Sequence, residues 1–190
     1  MKRRTLDAIL VAGGVVLTVV LIVAGSLLMW GYTFASSNVR TQLSEQQIYF
    51  PSKAAFAHAK PGTEITPSMI PSVSKYAGQQ LLNGAQAEAY ANHFIAVHLS
   101  EMPYGGVYAK ISTAARADPT NKKLQALTQT SFQGTTLRGL LLEAYGYWEF
   151  GQIALIASIC AYALGLIMLI LVILGLVHLR KVRPDEEVKI

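Results

Sequence analysis

The stretch AILVAGGVVLTVVLIVAGSLLMW, Ala8 to Trp30, decides the fold: it runs 23 residues without a charge. A helix of that length reaches about 35 Å, enough for the ~30 Å hydrocarbon core of a bilayer with some tilt. A second stretch, IALIASICAYALGLIMLILVILGLV from Ile153 to Val177, adds 25 uncharged residues. In lipid a lone segment satisfies its backbone groups only as a helix. Two transmembrane helices are therefore expected, at 8–30 and 151–179. The first run also has features of a secretion signal: Lys2-Arg3-Arg4 ahead of it and a small-residue site at Thr33-Phe34-Ala35. A signal's apolar region is only about 7–15 residues. Trp30 and Tyr32 at the far end read as an interfacial aromatic belt, so a retained anchor is expected.

Outward from these runs, charge distribution sets the expected topology. The 190 residues carry a net charge of +5, and 14% are charged, against about 25% in soluble domains. Lys2, Arg3 and Arg4 precede the first run; Arg180, Lys181 and Arg183 follow the second. The positive-inside rule places both ends in the cytoplasm and residues 31–150 outside. That loop holds nine Lys/Arg and seven Asp/Glu, a balance of +2. The basic excess is thus a signal of orientation, and a nucleic-acid role has no patch to rest on. One cysteine, Cys160, excludes an intramolecular disulfide and a thiolate cluster.

The loop reads as helices punctuated by Pro51, Pro61, Pro67, Pro71, Pro103 and Pro119. Residues 38–48 extend the first membrane helix, with Val39 and Leu43 on one face. A short helix is expected over 52–59, and Thr66-Pro67 has the form of a helix start. The strongest helix spans Gly84 to Met102, capped by Asn83 and ended by Gly105-Gly106. Another covers 107–116. A last one, capped by Thr120 or Asn121, continues into the second membrane run, with Gly134 and Gly139 as places to bend. The expected fold is an all-α membrane protein: a helical bundle between two transmembrane helices, with a tail at 180–190.

Few constellations carry chemistry. His98 and Glu101 are three apart and share a helix face, a spacing that can hold a metal. His93 lies about 140° round an α-helix from His98, and His58 could join only by tertiary contact. One His and one Glu make half a site. No Gly-x-Ser-x-Gly elbow is present. Tyr145-Gly146-Tyr147 lacks the rest of a potassium filter, so Tyr145, Tyr147, Trp148 and Phe150 read as the second aromatic belt. Ala157, Ala161 and Gly165 recur every four residues, as do Ala8 and Ala12. Small residues at that spacing let helices pack closely, within the hairpin or against a partner. No charge lies inside either run, which counts against an ion pathway. The plan is shared with sensor proteins of two membrane helices, but 180–190 offers no output domain, so a sensor would need a separate partner.

Several strings resemble a known family: VRTQL at 39–43, QQIYFP at 46–51, YAGQQL at 76–81, GAQAEAYANHFIAVHL at 84–99 and TLRGLLLEAY at 136–145. They are similar to a family of bacterial two-helix membrane proteins of unknown function, along nearly the whole chain. The resemblance implies a bacterial plasma-membrane location. Family members are often labelled aromatic-ring-opening dioxygenase subunits. That chemistry needs two His and one carboxylate round iron, and here only His98 and Glu101 are well placed.

The sequence thus leads to a non-enzymatic membrane protein without cofactor. It would be an accessory or scaffold subunit that contacts the lipid bilayer and another membrane protein or itself. The alternatives are an extracytoplasmic metal- or small-ligand-binding sensor centred on His98 and Glu101, with His93 or His58 assisting, and a ring-cleaving dioxygenase.

Overall fold

The computed structural model describes residues 3–181, so Lys2 and Arg183 lie outside the described residues. Every regular element described is helical: α1 (Arg3–Glu45), α2 (Lys53–Ala57), α3 (Ile70–Val73), α4 (Gly84–Tyr90), α5 (Ala96–Glu101), α6 (Tyr108–Ala117) and α7 (Lys122–Lys181). A π turn, Ala91–Ile95, joins α4 to α5, and short 3₁₀ turns flank α3. The chain divides into two compact units. One contains the residues up to Phe34 and those from Gly151 onward; the other is Ala35–Phe150.

The first unit is a helical hairpin. Along α1 the inward positions are Val11, Gly14, Thr18, Leu21, Gly25 and Leu28, and along α7 they are Ser158, Ala161, Gly165, Met168, Val172 and Gly175. Both rows alternate steps of three and four, the 3.5-residue period of helices that pack with a slight left-handed twist. The two rows run antiparallel. A methyl group on Gly14 would meet Val172, one on Gly25 would meet the Tyr162 ring, and one on Gly175 would meet Val11. Glycine there lets the backbones approach. The Ser158 hydroxyl donates to the Gly25 carbonyl at 2.8 Å, and the Ser26 and Tyr162 hydroxyls lie 3.0 Å apart.

This seam differs from the expected row of small residues. Ala161 and Gly165 lie in it and Ala157 is half-buried, but Ala8 and Ala12 are exposed. A four-residue stripe drifts off a contact whose period is 3.5, and on α1 the close approach falls at Gly14 and Gly25 instead. Both helices are long and apolar enough to cross a membrane, and only 17% of each most apolar window is buried.

The second unit builds its core from Val39 and Leu43 of α1, Leu141 of α7, and Phe50, Phe56, Ile65, Met69, Val73, Leu81, Ala87, Ala91, Phe94 and Ile95 between them. α1 ends at Glu45, not at Ile48, because Gln47 takes a positive φ and residues 48–51 turn extended. There Tyr49 makes an isolated antiparallel bridge with Gln80; Phe50 N–H bonds Gln79 O and Leu81 N–H bonds Ile48 O, each at 2.9 Å. The Ser52 hydroxyl caps α2. Thr66 precedes the 3₁₀ turn Pro67–Met69 without capping it, since its hydroxyl pairs with Ser68 at 2.8 Å.

Asn83 caps α4, accepting from Gln86 N–H at 2.9 Å. Buried Gln86 reaches back to accept from Leu82 N–H at 2.7 Å, so two otherwise orphaned donors are satisfied reciprocally. Asn121 caps α7 by accepting from Leu124 N–H at 3.2 Å. α7 then continues without interruption past Gly134 and Gly139. Gly134 serves close approach: a Cβ there would lie 2.9 Å from the Leu99 side chain.

Candidate functional site

The sequence directs attention to the histidines of the second unit. His98 sits on α5, half-buried, with its ring edge-on to Phe94 at 4.6 Å between centroids. Its Nδ1 lies 2.9 Å from the Phe94 carbonyl, so one ring nitrogen is engaged by its own helix. Glu101 is exposed at the end of α5. His93 lies inside the π turn, whose i to i+5 bonding adds a residue to the turn and changes the angular spacing expected of an unbroken α-helix. His58 follows α2 and is exposed. Among the described residues, no three of His, Cys, Asp and Glu come together as a metal-ligand group.

His98 instead ends an aromatic ladder. Tyr76 packs on Phe50 at 5.1 Å, Phe50 on Tyr90 at 5.3 Å, and Tyr90 on Phe94 at 4.7 Å. The four-residue steps from Tyr90 to Phe94 to His98 bring successive rings together along the helix. Burial, and then the Glu64 carboxylate, raise the Tyr90 hydroxyl above the usual tyrosine range.

The π turn also holds a polar relay that the sequence reading missed. Asn92 donates to Glu88 at 2.9 Å and accepts from the Arg138 guanidinium at 2.8 Å. An amide thus stands between a carboxylate and a cation of α7, and the Nε of Arg138 is buried without a hydrogen-bond partner. The i, i+4 spacing of Glu88 and Asn92 is visible in sequence. The 46-residue separation from Arg138 is not. π turns recur at functional sites, and this one seats Arg138 against the core.

The expected aromatic belts separate into different roles. Trp30 is 66% exposed and stacks on Phe34, and Phe150 is 72% exposed. Tyr32 is half-buried, and Tyr147 is exposed. Trp148 packs in the second unit, where a Cβ on Gly84 would lie 2.5 Å from it. A hydrogen bond to Glu149, and then its charge, raise the Tyr145 hydroxyl above its ordinary range. Of the expected topology charges, Arg4, Arg180 and Lys181 are exposed and Arg3 is half-buried.

A strained turn follows α5. Tyr104, Gly105 and Gly106 take φ of 60°, 65° and 66° in succession. Gly106 O accepts from the buried Ser131 hydroxyl at 2.7 Å. Tyr104 is 51% exposed, so the left-handed conformation is imposed by its neighbours and not offset by burial. Tyr104→Gly is expected to stabilise the domain by about 0.5 kcal/mol, because relief of roughly 1 kcal/mol of strain exceeds the added chain entropy of glycine. Chemical denaturation would show it, and a loss of stability would mean that the Tyr104 ring makes a compensating contact.

No family model matches the chain, and no curated protein or solved structure matches it. The functional reading therefore rests on the residues themselves.

Proposed function

We propose that this chain is an integral membrane protein that works by binding, as an accessory or scaffold subunit of a membrane assembly. Its helical domain lies on the extracytoplasmic side and both ends lie in the cytoplasm. The observation that carries the reading is the exposure of the hairpin. Its one inward seam is filled by the partner helix, while Ile9, Leu10, Leu27, Ile153, Ile156 and Leu174 are each about three-fifths exposed. So large an apolar surface needs lipid or protein to cover it. The domain adds a core of its own, which suits an interaction module.

Two measurements test this. In a Cys160→Ala background, Ser100→Cys, on the exposed end of α5, is expected to react with a membrane-impermeant maleimide in intact cells. Labelling only after lysis would overturn the orientation. Crosslinking in native membranes followed by mass spectrometry is expected to recover a defined membrane-protein neighbour or a second copy. Recovery of the uncrosslinked monomer alone would overturn the scaffold role.

A further inference from the structure

The second unit contains a groove of about 310 Å³ that none of the roles above uses. One wall is a stripe of α1, with Asn38 and Gln42 at the rim and Val39 and Leu43 beneath, continued by Gln46 in the turn that follows. The other is a stripe of α7, with Glu143 and Tyr147 at the rim and Leu140 and Ala144 beside them. The spacings are helical on both sides: 38, 39, 42, 43 and 140, 143, 144, 147 each line one face.

We propose that this groove binds a primary ammonium group, held by the Glu143 carboxylate, the Tyr147 ring and the side-chain oxygens of Gln42 and Gln46. Charge comes first. Among the described residues Glu143 is the only charged one lining the groove. Among the described residues no lysine, arginine or histidine forms an ion pair with it. A carboxylate left uncompensated beside an apolar floor attracts a cation and repels an anion. Tyr147, four residues on, also lines the groove, and an aromatic face attracts a cation that comes within about 6 Å of it. The amides add direction: Gln42 donates its Nε2 to Asn38 Oδ1 at 3.2 Å, which leaves the Gln42 carbonyl oxygen as an acceptor for an N–H donor. Val39 and Leu43 provide an apolar floor for the carbons attached to the nitrogen, being 4% and 2% exposed. The volume lies at the small end of ligand pockets, about 300–1,000 Å³, so it suits a headgroup or short amine and not a nucleotide cofactor.

The same ammonium chemistry occurs in free short amines and in the ethanolamine headgroup of a phospholipid, and one experiment separates them. The full chain is purified in uncharged detergent and titrated with ethanolamine and 1,4-diaminobutane by calorimetry, with neutral N-acetylethanolamine as control. In parallel, nanodiscs of phosphatidylglycerol with or without phosphatidylethanolamine are analysed for retained lipid by native mass spectrometry. Glu143→Gln, at an exposed position, is expected to leave the thermal midpoint of the unliganded protein unchanged and to weaken ammonium binding at least tenfold. Glu143→Asp is expected to restore part of it. Saturable binding of the free amines assigns the site to soluble amines. Selective retention of phosphatidylethanolamine, lost in Glu143→Gln, assigns it to lipid. Equal binding of the neutral control, equal binding by Glu143→Gln, or no binding in either arm would overturn the proposal.

Discussion

Gly106→Ala is expected to destabilise the helical domain by about 4 kcal/mol, through left-handed strain of roughly 1–2 kcal/mol and an overpacking cost of about 1–3 kcal/mol. The strain arises because φ at Gly106 is +66°. The overpacking is severe because an added Cβ would lie 2.2 Å from the Leu99 carbonyl oxygen and 2.7 Å from its carbon. Backbone cannot swing aside as a side chain does. Leu99 is fixed within α5, and the Gly106 carbonyl is tied to Ser131 on α7. Gly105→Ala separates the two costs, since φ there is +65° but nothing lies within 4 Å of the new methyl group. That control is expected to lose only the strain. Trp148 emission in a Trp30→Phe background reports the domain, because Trp148 packs against Gly84 while Trp30 is exposed on the hairpin. Equal losses for the two substitutions would mean that the contact between Leu99 and Gly106 is absent.

The second large effect is expected at Leu141→Ala, with a loss of about 3 kcal/mol, in the lower half of the range for truncating a buried leucine. Leu141 is 1% exposed and belongs to the same core as Val39, Leu43 and Phe94. Its neighbour Leu140 is 54% exposed, so Leu140→Ala is expected to cost under about 1 kcal/mol. Denaturant titration followed by the same tryptophan would measure both. Similar losses at the two positions would mean that α7 presents a different face to the core. The pair also guards the groove variants, because a change at exposed Glu143 is expected to leave this transition in place.

Much of this architecture follows from local rules. The runs 8–30 and 153–177 carry no charge and no proline, a helix is the form that satisfies such a segment's backbone in lipid, and both lie within longer helices. Asn83 is legible as a cap, and Asn121 as one of two candidates, because a short polar side chain beside a helical run has one evident use. Val39 and Leu43 are legible as core by their four-residue spacing. Thr66 shows the limit of such reading: Ser68, two residues on, takes the hydroxyl that would have capped the turn.

What stayed hidden depends on partners distant in the chain. The small residues of α1 that meet α7 are Gly14 and Gly25 and not Ala8 and Ala12, because two helices packing with a 3.5-residue period select every third or fourth position in turn. His98 has its Nδ1 beside the Phe94 carbonyl and its ring edge-on to Phe94, a local arrangement that only the folded helix reveals. That Trp148 packs over Gly84 is likewise seen only in the fold. Arg138 pairs with Asn92 across 46 residues, and Glu143 shares a groove with Gln42 across about 100. By itself the sequence determined an all-helical chain with two apolar helices, since hydropathy, capping and proline breaks act within a few residues. Only the tertiary structure decided which faces meet, because a close approach or a groove is a property of two surfaces, and each helix carries only one.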